Sequence, residues 1–521
     1  MAKFAEKMGA EIEDKVFKWT GKEYQIPLPL TPLIDSEPAS IEDTTHIKGW
    51  LVDLGWWPTV YKERDLTVDS KKKKLTKEKY KETVERYMAQ TMESPFKRDR
   101  MFHLTLGMKC KDEQVLSRLL SHDIERPMKV YTNPTFTVGQ DKELCPKLEE
   151  MSEIFPHVYK VVEFLTYRHR RNSILGGGVG IDEDDIEMEK GYLANIRADG
   201  RIPTPADTCG CNTSRFKHRI VANIPRITSM YGKNMRAMFG VEKKKYAQFG
   251  YDFSSLEGRM ESHYCWKYDE TKEYCNSLIL EKPFDVHTLT AKKISEILGK
   301  PFGRSPAKST KYCCTYGGRP MRVAMTIGSD FTTGKQVYDA FWLAADPLRQ
   351  LGESLKKYWE TMGGKKFVLG IDGRKVPTRS ASALVNSLLQ SAGVICAKWT
   401  MVLHDRKLAA KGLTVDFFRD NWKNKSYINQ MVAMHDEAQM EVSKGLIEWK
   451  IFKEEDEAIA FKKSSSDNWS EVGHIGGKWF VGKSVISDLL LEAVDETTAK
   501  LKLNIPLGVE FIYGDSWATC H

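Results

Sequence analysis

The sequence predicts a mixed α/β fold on three observations. Residues 190–265 are rich in strand-forming runs, notably "KGYLANIRADGRI" and "KYAQFGYDFSSLE". Helical spacing of apolar residues dominates from 265 to 430, and the tail mixes strands with one helix near "SDLLLEAVDETTAKL". At 521 residues, with no internal repeat, the chain is long enough for two or three domains or one multi-lobed enzyme. Its 79 basic and 71 acidic residues leave a net charge of +8, a modest surplus that permits a polyanion partner. Ten cysteines, with Cys313 beside Cys314, do not form a disulfide framework in a chain this long, and Cys209 and Cys211 are too closely spaced for a zinc knuckle. No run approaches the roughly eighteen apolar residues of a membrane helix, and the start lacks a signal-peptide core. A cytoplasmic protein without a membrane partner is expected.

Taken in order, the chain opens with a short amphipathic helix and then an extended, proline-punctuated piece, "VFKWTGKEYQIPLPLTPLI". "TTHIKGWLVDLGWWPTVY" reads as a helix ending at a Gly, followed by a Trp-Pro turn. Residues 62–130 are strongly basic, with "KKKK" at 71–74, a run whose simplest reading is a solvated surface. "KLEEMSEIFPHVYKVVEFLTYRHRRNSIL" reads as one long helix closed by "GGGVG".

Chemistry first shows in "GRSPAKSTKYCCTYGG", residues 303–318. Arg304, Lys308, Tyr312 and Tyr316 recur every fourth residue, so on a helix they form a slowly turning row on one face. Ser305 as N-cap and Pro306 at the first helical position fit a start there, which puts Arg304 beside the positive end of the helix dipole, suited to a phosphate. Arg304 offers a planar fork and Lys308 a point charge, while the two tyrosines offer flat faces to a sugar and a base.

Carboxylates mark two strands. "QFGYDFSSLEGR" delivers Asp252 at a strand end and Glu257 five residues later, and "VAMHDEAQMEV" reads as an apolar strand interrupted by His435, Asp436 and Glu437. Acidic groups inside strand patterns are costly unless paired with a cation. Hard oxygen donors suit Mg²⁺, which binds through one or two carboxylates plus substrate phosphates. Two such sites could hold two ions about 4 Å apart, one activating a hydroxyl and the other neutralising a leaving pyrophosphate.

These motifs together resemble family A DNA polymerases, most closely the replicative type of bacteriophages. The family's Asp-x-Ser-x-x-Glu-Leu-Arg run is matched by Asp252, Ser254, Glu257 and Arg259, with Gly258 replacing Leu. Its Arg-x3-Lys-x7-Tyr-Gly run is matched by Arg304, Lys308, Tyr316 and Gly317, and its His-Asp-Glu by residues 435–437. "FDVHT" matches an Asp-x-His-Thr element, "TSR" at 213–215 stands for Thr-Gly-Arg, "GIDGRKVPTRSASALVNSLLQSAG" looks like a phage segment, and "WATCH" resembles the phage C-terminus. The likeness covers about 40–61 and 140–521, with an insertion near 443–478.

The resemblance implies a right-hand fold: a thumb-like region at 1–186 carrying the basic insertion at about 62–130, an antiparallel palm at 187–264 and 387–521, and helical fingers at 265–386. It implies DNA synthesis on a primer-template with two Mg²⁺ ions, for which Mn²⁺ can substitute. Asp252 and Asp436 would bind both metals with help from the Phe253 carbonyl, and Glu437 would support them. Arg304, Lys308 and His287 would hold the dNTP triphosphate, with Tyr312, Tyr316 and Glu257 at its base and sugar. A carboxylate at Glu257, tied to the Tyr312 hydroxyl, would crowd a ribose 2′-OH. Arg215, Asn386, Gln390 and His435 would contact DNA. A single-subunit RNA polymerase and a non-catalytic primer-template subunit are the alternatives; Glu257 and Glu437 favour the first reading over the RNA enzyme, and the full set of charged motif residues favours it over the inert subunit.

A proofreading 3′-5′ exonuclease begins with an Asp-x-Glu pair, which Asp35 and Glu37 of "PLIDSEPAS" mimic. Prolines at 27, 29, 32 and 38 break any long central strand there, and thumb-like sequence follows at once. The expectation is a chain without that activity, joined in one reading by a separate exonuclease chain or processivity factor.

Overall fold

The computed structural model describes residues 11–13, 16–19, 22–25, 44–56, 61–69, 73–93, 116, 117, 119–138, 143–176, 179–181, 187–189, 191–221, 224–327, 329–361, 367–378, 380–414 and 427–520. Asp35, Glu37, Lys71 and Lys72 lie outside these. The chain divides into two compact units, one of Met1–Thr105, Lys109–Thr135 and Pro146–Val161, the other of Leu106–Met108, Phe136–Cys145 and Val162–His521.

In the first unit, Glu11–Glu13, Val16–Trp19 and Lys22–Gln25 form a three-stranded antiparallel sheet. A helix was expected over the first of these. The register pairs Ile12 with Phe17, and β-branched and aromatic residues favour such a ladder. Helix Thr44–Asp53 ends as expected before Gly55, at φ +96°. In the basic segment Lys73 and Lys74 are exposed, as a solvated surface requires, but a packed helix follows. Helix Lys77–Glu93 buries Tyr80, Val84, Tyr87 and Met88, the stripe expected of an amphipathic helix, and Tyr80 donates its hydroxyl to the Leu119 carbonyl at 2.8 Å. The long helix expected over 147–175 is two, Pro146–Ile154 and Pro156–Leu175. Pro156 supplies no N–H to continue the first and opens the second, where none is needed.

The second unit is built on a four-stranded antiparallel sheet. Its strands are β1 (Tyr246–Phe253), β2 (Ile428–Met434), β3 (Glu437–Ser443) and β4 (Val509–Gly514), in the spatial order β2-β3-β1-β4. Strand alternation sorts β1 by face. Ala247, Phe249, Tyr251 and Phe253 enter a core shared with helices Leu384–Ala410 and Val485–Lys500. Fully burying a side chain such as Phe249 contributes roughly 2–3 kcal/mol, so this face fixes the register. Gln248, Gly250 and Asp252 take the opposite face. There the C-terminal segment closes over Gly250, where a Cβ would come within 2.2 Å of the Cys520 carbonyl, and only Asp252 is exposed.

A second core joins helices that follow β1: α1 (Leu256–Cys265), α2 (Glu273–Ser277), α3 (Val286–Leu298) and α4 (Arg304–Thr315), with Phe331–Ala344 and Asp346–Thr361. The 27-residue helix Leu384–Ala410 is called α5 below.

Three local expectations change. "KGYLANIRADGRI" is a 3-10 turn and loop, not a strand, because Gly191 and Gly200 take φ of +109° and +78° and the Asn195 amide caps the Gly191 carbonyl at 2.8 Å. The tail holds two helices, Glu455–Ser464 as well as Val485–Lys500. The His-Asp-Glu strand is a hairpin, in which His435 and Asp436 form the loop between β2 and β3 and His435 takes a left-handed φ of +59°. Among the described residues no helix is long and apolar enough to cross a membrane.

Candidate active site

The sheet register brings the two acidic motifs together. Asp252 pairs with Glu437 across β1 and β3, and the Phe253 N–H donates to the Asp436 carbonyl at 3.2 Å. Asp252 and Asp436 thus leave adjacent strands within one residue of a shared backbone hydrogen bond. Glu437 is mostly buried and held by two hydrogen-bond donors and an ion pair. Trp517 donates its indole N–H, Gln439 its amide at 2.7 Å, and the Arg236 guanidinium lies 3.7 Å away. Arg236 also stacks over Trp517 at 5.1 Å and donates to the Pro225 carbonyl at 2.9 Å. These contacts fix the orientation of the Glu437 side chain at the end of β3. Trp517 belongs to the "WATCH" run noted in the sequence; Arg236 carried no signal there.

One cleft is lined by Arg215, Glu257, Gln390, His435 and Asp436 over apolar Leu256, Leu389 and Val394. Asn386 sits one turn before Gln390 on α5, its buried carbonyl oxygen without a partner. Burial, reinforced by the Arg215 guanidinium, pushes the His435 imidazole below its ordinary value, so at neutral pH the ring is uncharged. His218, both ring nitrogens buried without a partner, is held down by burial and by His435.

The stripe is a helix face, with its start shifted from expectation. Gly303 is the N-cap, so Arg304 opens α4 and Ser305 and Pro306 fall in its first turn, where a missing N–H costs no bond. Tyr316 is the C-cap, and Gly317 at φ +82° ends the helix by entering the left-handed region. Tyr312 and Tyr316 are exposed and their rings are stacked, 6.4 Å apart and within 14° of parallel. His287 packs 5.9 Å from Tyr312. Burial, then the nearby Lys311 ammonium, pushes His287 down to about 4, so it is a neutral ring and adds no cation to Arg304 and Lys308.

Arg304 is already engaged. Asp285 is the N-cap of α3, accepting from the Thr288 N–H at 3.0 Å and hydroxyl at 2.7 Å, and its carboxylate also accepts from Arg304 Nε at 3.1 Å. The Glu257 carboxylate meets Tyr316, 3.3 Å from its hydroxyl, and not Tyr312 as the sequence suggested. Tyr312, one turn earlier, has its ring beside His287 and stacked on that of Tyr316.

The departures from the family pattern have structural counterparts. Ser214 stands at φ +63°, a conformation that glycine takes without strain. At Gly258 a Cβ would lie 3.0 Å from the Leu278 carbonyl, so a side chain there would need that neighbour to give by a few tenths of an ångström. Arg259 is a brace, donating to the Ser254 carbonyl at 2.7 Å and the Pro506 carbonyl at 2.5 Å.

The profile of DNA polymerase family A matches residues 187–456, just over half of the chain. The DNA-directed DNA polymerase of Escherichia phage T7 is 28% identical over 274 residues, covering 49% of this chain and 37% of that protein. That of Escherichia phage Phieco32 is 24% identical over 340 residues, covering 50% of this chain and 51% of its own. Among solved structures, the polymerase domain of Pol1 from M. smegmatis, in complex with DNA primer-template and dNTP, superposes with a TM-score of 0.50 at 15% identity, over 85% of this chain and 66% of that one. The chain belongs to DNA polymerase family A, and its fold is that of the family's polymerase domain. It spans between about a third and half of the length of these phage relatives.

Proposed function

We propose that this chain carries out template-directed DNA synthesis, adding dNTPs to a primer 3′-OH with release of pyrophosphate, in phage DNA replication in the host cytoplasm. The observation that carries this is the register that sets Asp252 and Asp436 side by side, with a nucleotide-sized row of cation and phenol side chains joined to the same cleft through Glu257 and Tyr316. In this reading the sheet is the palm and the helices from α2 to Asp346–Thr361 are the fingers.

The donor set fits Mg²⁺. Asp252 and Asp436 offer hard carboxylate oxygens and the Phe253 carbonyl a neutral one, while Glu437 is committed to Arg236, Gln439 and Trp517. When bound, a pair of such ions supplies activation of the primer hydroxyl and neutralisation of the leaving pyrophosphate. The protein's part is to place the reactants. Arg304 and Lys308 draw the triphosphate to the start of α4, where free N–H groups and the dipole favour an anion. His287, uncharged, offers a hydrogen bond. Tyr312 and Tyr316 present flat faces to sugar and base, and Glu257 blocks the space a 2′-OH would need. Arg215, Asn386, Gln390 and His435 line the primer-template side.

Primer extension with Mg²⁺ and either dNTPs or rNTPs tests the reading. Extension with dNTPs, weak with rNTPs, is expected. No extension from any primer-template, or equal use of both sugars, would overturn it.

A further inference from the structure

Two rungs join α1 to α4. The outer rung is the Tyr316 hydroxyl on Glu257. The inner rung is the Lys311 ammonium on Glu261, at 2.5 Å, with side chains only 7% and 2% exposed. Glu257 and Glu261 lie one turn apart on α1. As their numbers rise, those of their partners on α4 fall from 316 to 311, so the two rungs stack along one seam. Tyr274 of α2 donates its hydroxyl to the other Glu261 oxygen, which leaves neither oxygen idle.

Stability does not account for this pair. Replacing a buried ion pair by apolar side chains of similar volume is often neutral or stabilising, whereas breaking one partner is costly. What a hydrogen-bonded pair supplies is register, because the partners meet in one geometry while apolar surfaces slide. Lys311 immediately precedes Tyr312, so its anchoring fixes the exposed tyrosine row. Its charge is felt by Glu257 and by His287. Burial raises the Glu257 carboxyl above its ordinary value, and the Lys311 ammonium, ahead of Arg215 and the Tyr316 hydroxyl, draws it back against Glu261. His435 and Asp436 share the cleft with Glu257.

We propose that Lys311 is a positioning residue for nucleotide selection: locked on Glu261, it fixes the register of Tyr312 and Tyr316 against Glu257 and so sets which sugar the site accepts. This rests on the polymerase reading above.

The test compares the full chain with Lys311→Met, Lys311→Arg and the double variant Lys311→Met/Glu261→Gln, whose amide oxygen still accepts from Tyr274, in primer extension, alongside thermal melting. Lys311→Met should raise the dNTP KM about fivefold with primer-template affinity unchanged, and should narrow the preference for dNTP over rNTP. It should also move upward the pH below which that preference falls, since the lost cation no longer favours the ionised Glu257. Lys311→Arg should keep the preference. The double variant, with no buried charge left unpaired, should melt near wild type while its preference stays narrowed. A double variant that melts like wild type and selects like it overturns the proposal, leaving the pair as a structural contact only. A wild-type chain that extends no primer removes the polymerase reading itself and this proposal with it.

Discussion

Tyr316, the C-cap of α4, places its hydroxyl 3.3 Å from the Glu257 carboxylate, so the last residue of the nucleotide row is tied to the helix that follows Asp252. In the proposed reading the contact couples sugar recognition to the carboxylate strand. Glu257→Ala should therefore admit ribonucleotides, raising rNTP incorporation about tenfold or more, the scale of one lost interaction of roughly 1.4 kcal/mol. Tyr316→Phe keeps the ring and removes only the hydroxyl, so it should move selection in the same direction by less. Competitive incorporation of dNTP and rNTP reads both; unchanged ratios in both variants would separate Glu257 from the sugar.

Asp252→Ala and Asp436→Ala should each abolish nucleotide addition while primer-template binding survives. Each removes a hard oxygen donor at the shared β1–β3 end and leaves Arg215, Asn386 and Gln390 in place. The measurement is single-turnover extension beside a gel-shift titration. A variant that retained more than about a tenth of wild-type extension, a barrier change under about 1.4 kcal/mol, would not have lost a metal ligand.

How much of this was legible in the sequence depended on how local each signal was. Asp252 was, because "QFGYDF" alternates by twos and ends at a turn, and the stripe was, because four residues at helical spacing need no partner to be seen. The hairpin at His435 was not: its loop lacks the Asn-Gly pair that marks tight turns, and apolar residues on both sides made one strand of two. The Glu257 partner was misread because spacing along α4 does not say which of two stacked tyrosines reaches a carboxylate on another helix. Lys311 with Glu261, and Arg236 with Glu437, were invisible because such pairs exist only once distant segments pack, and an isolated Lys or Arg reads as surface. Why Gly258 replaces Leu was equally hidden, since the Leu278 carbonyl that faces it comes from a distant turn of the chain.

Tyr312, free of Glu257 and 43% exposed on the outer face of α4, should let the enzyme accept chain-terminating dideoxynucleotides. Its hydroxyl can fill the space left by an absent 3′-OH, whereas Phe leaves that space empty. The ratio of dNTP to ddNTP incorporation should rise in Tyr312→Phe. Equal ratios in wild type and variant would mean that residue 312 does not face the sugar.

Asp285 links α3 and α4, the helices proposed to receive the triphosphate, capping α3 through Thr288 and holding Arg304 at the start of α4. Partial burial opposes its ionisation, but the Arg304 guanidinium and the Thr288 hydroxyl and amide outweigh that and hold the carboxyl well below the usual carboxylate range. A carboxylate with a depressed folded value contributes stability that is complete above its unfolded value, about 3.9, and is lost as pH falls through the folded one. Between pH 6 and 9 the Asp285 carboxylate therefore stays ionised, and nucleotide affinity should show no titration from this group. Since two of its guanidinium nitrogens are fixed on Asp285, Arg304 presents its remaining donors in one orientation. Asp285→Asn should preserve the Thr288 cap and raise the dNTP KM only modestly. Asp285→Ala should raise it further and cost about 1 kcal/mol of α3 stability through the lost cap. Steady-state kinetics and thermal melting check both, and a dNTP KM in Asp285→Ala no higher than wild type would show that Arg304 needs no such brace.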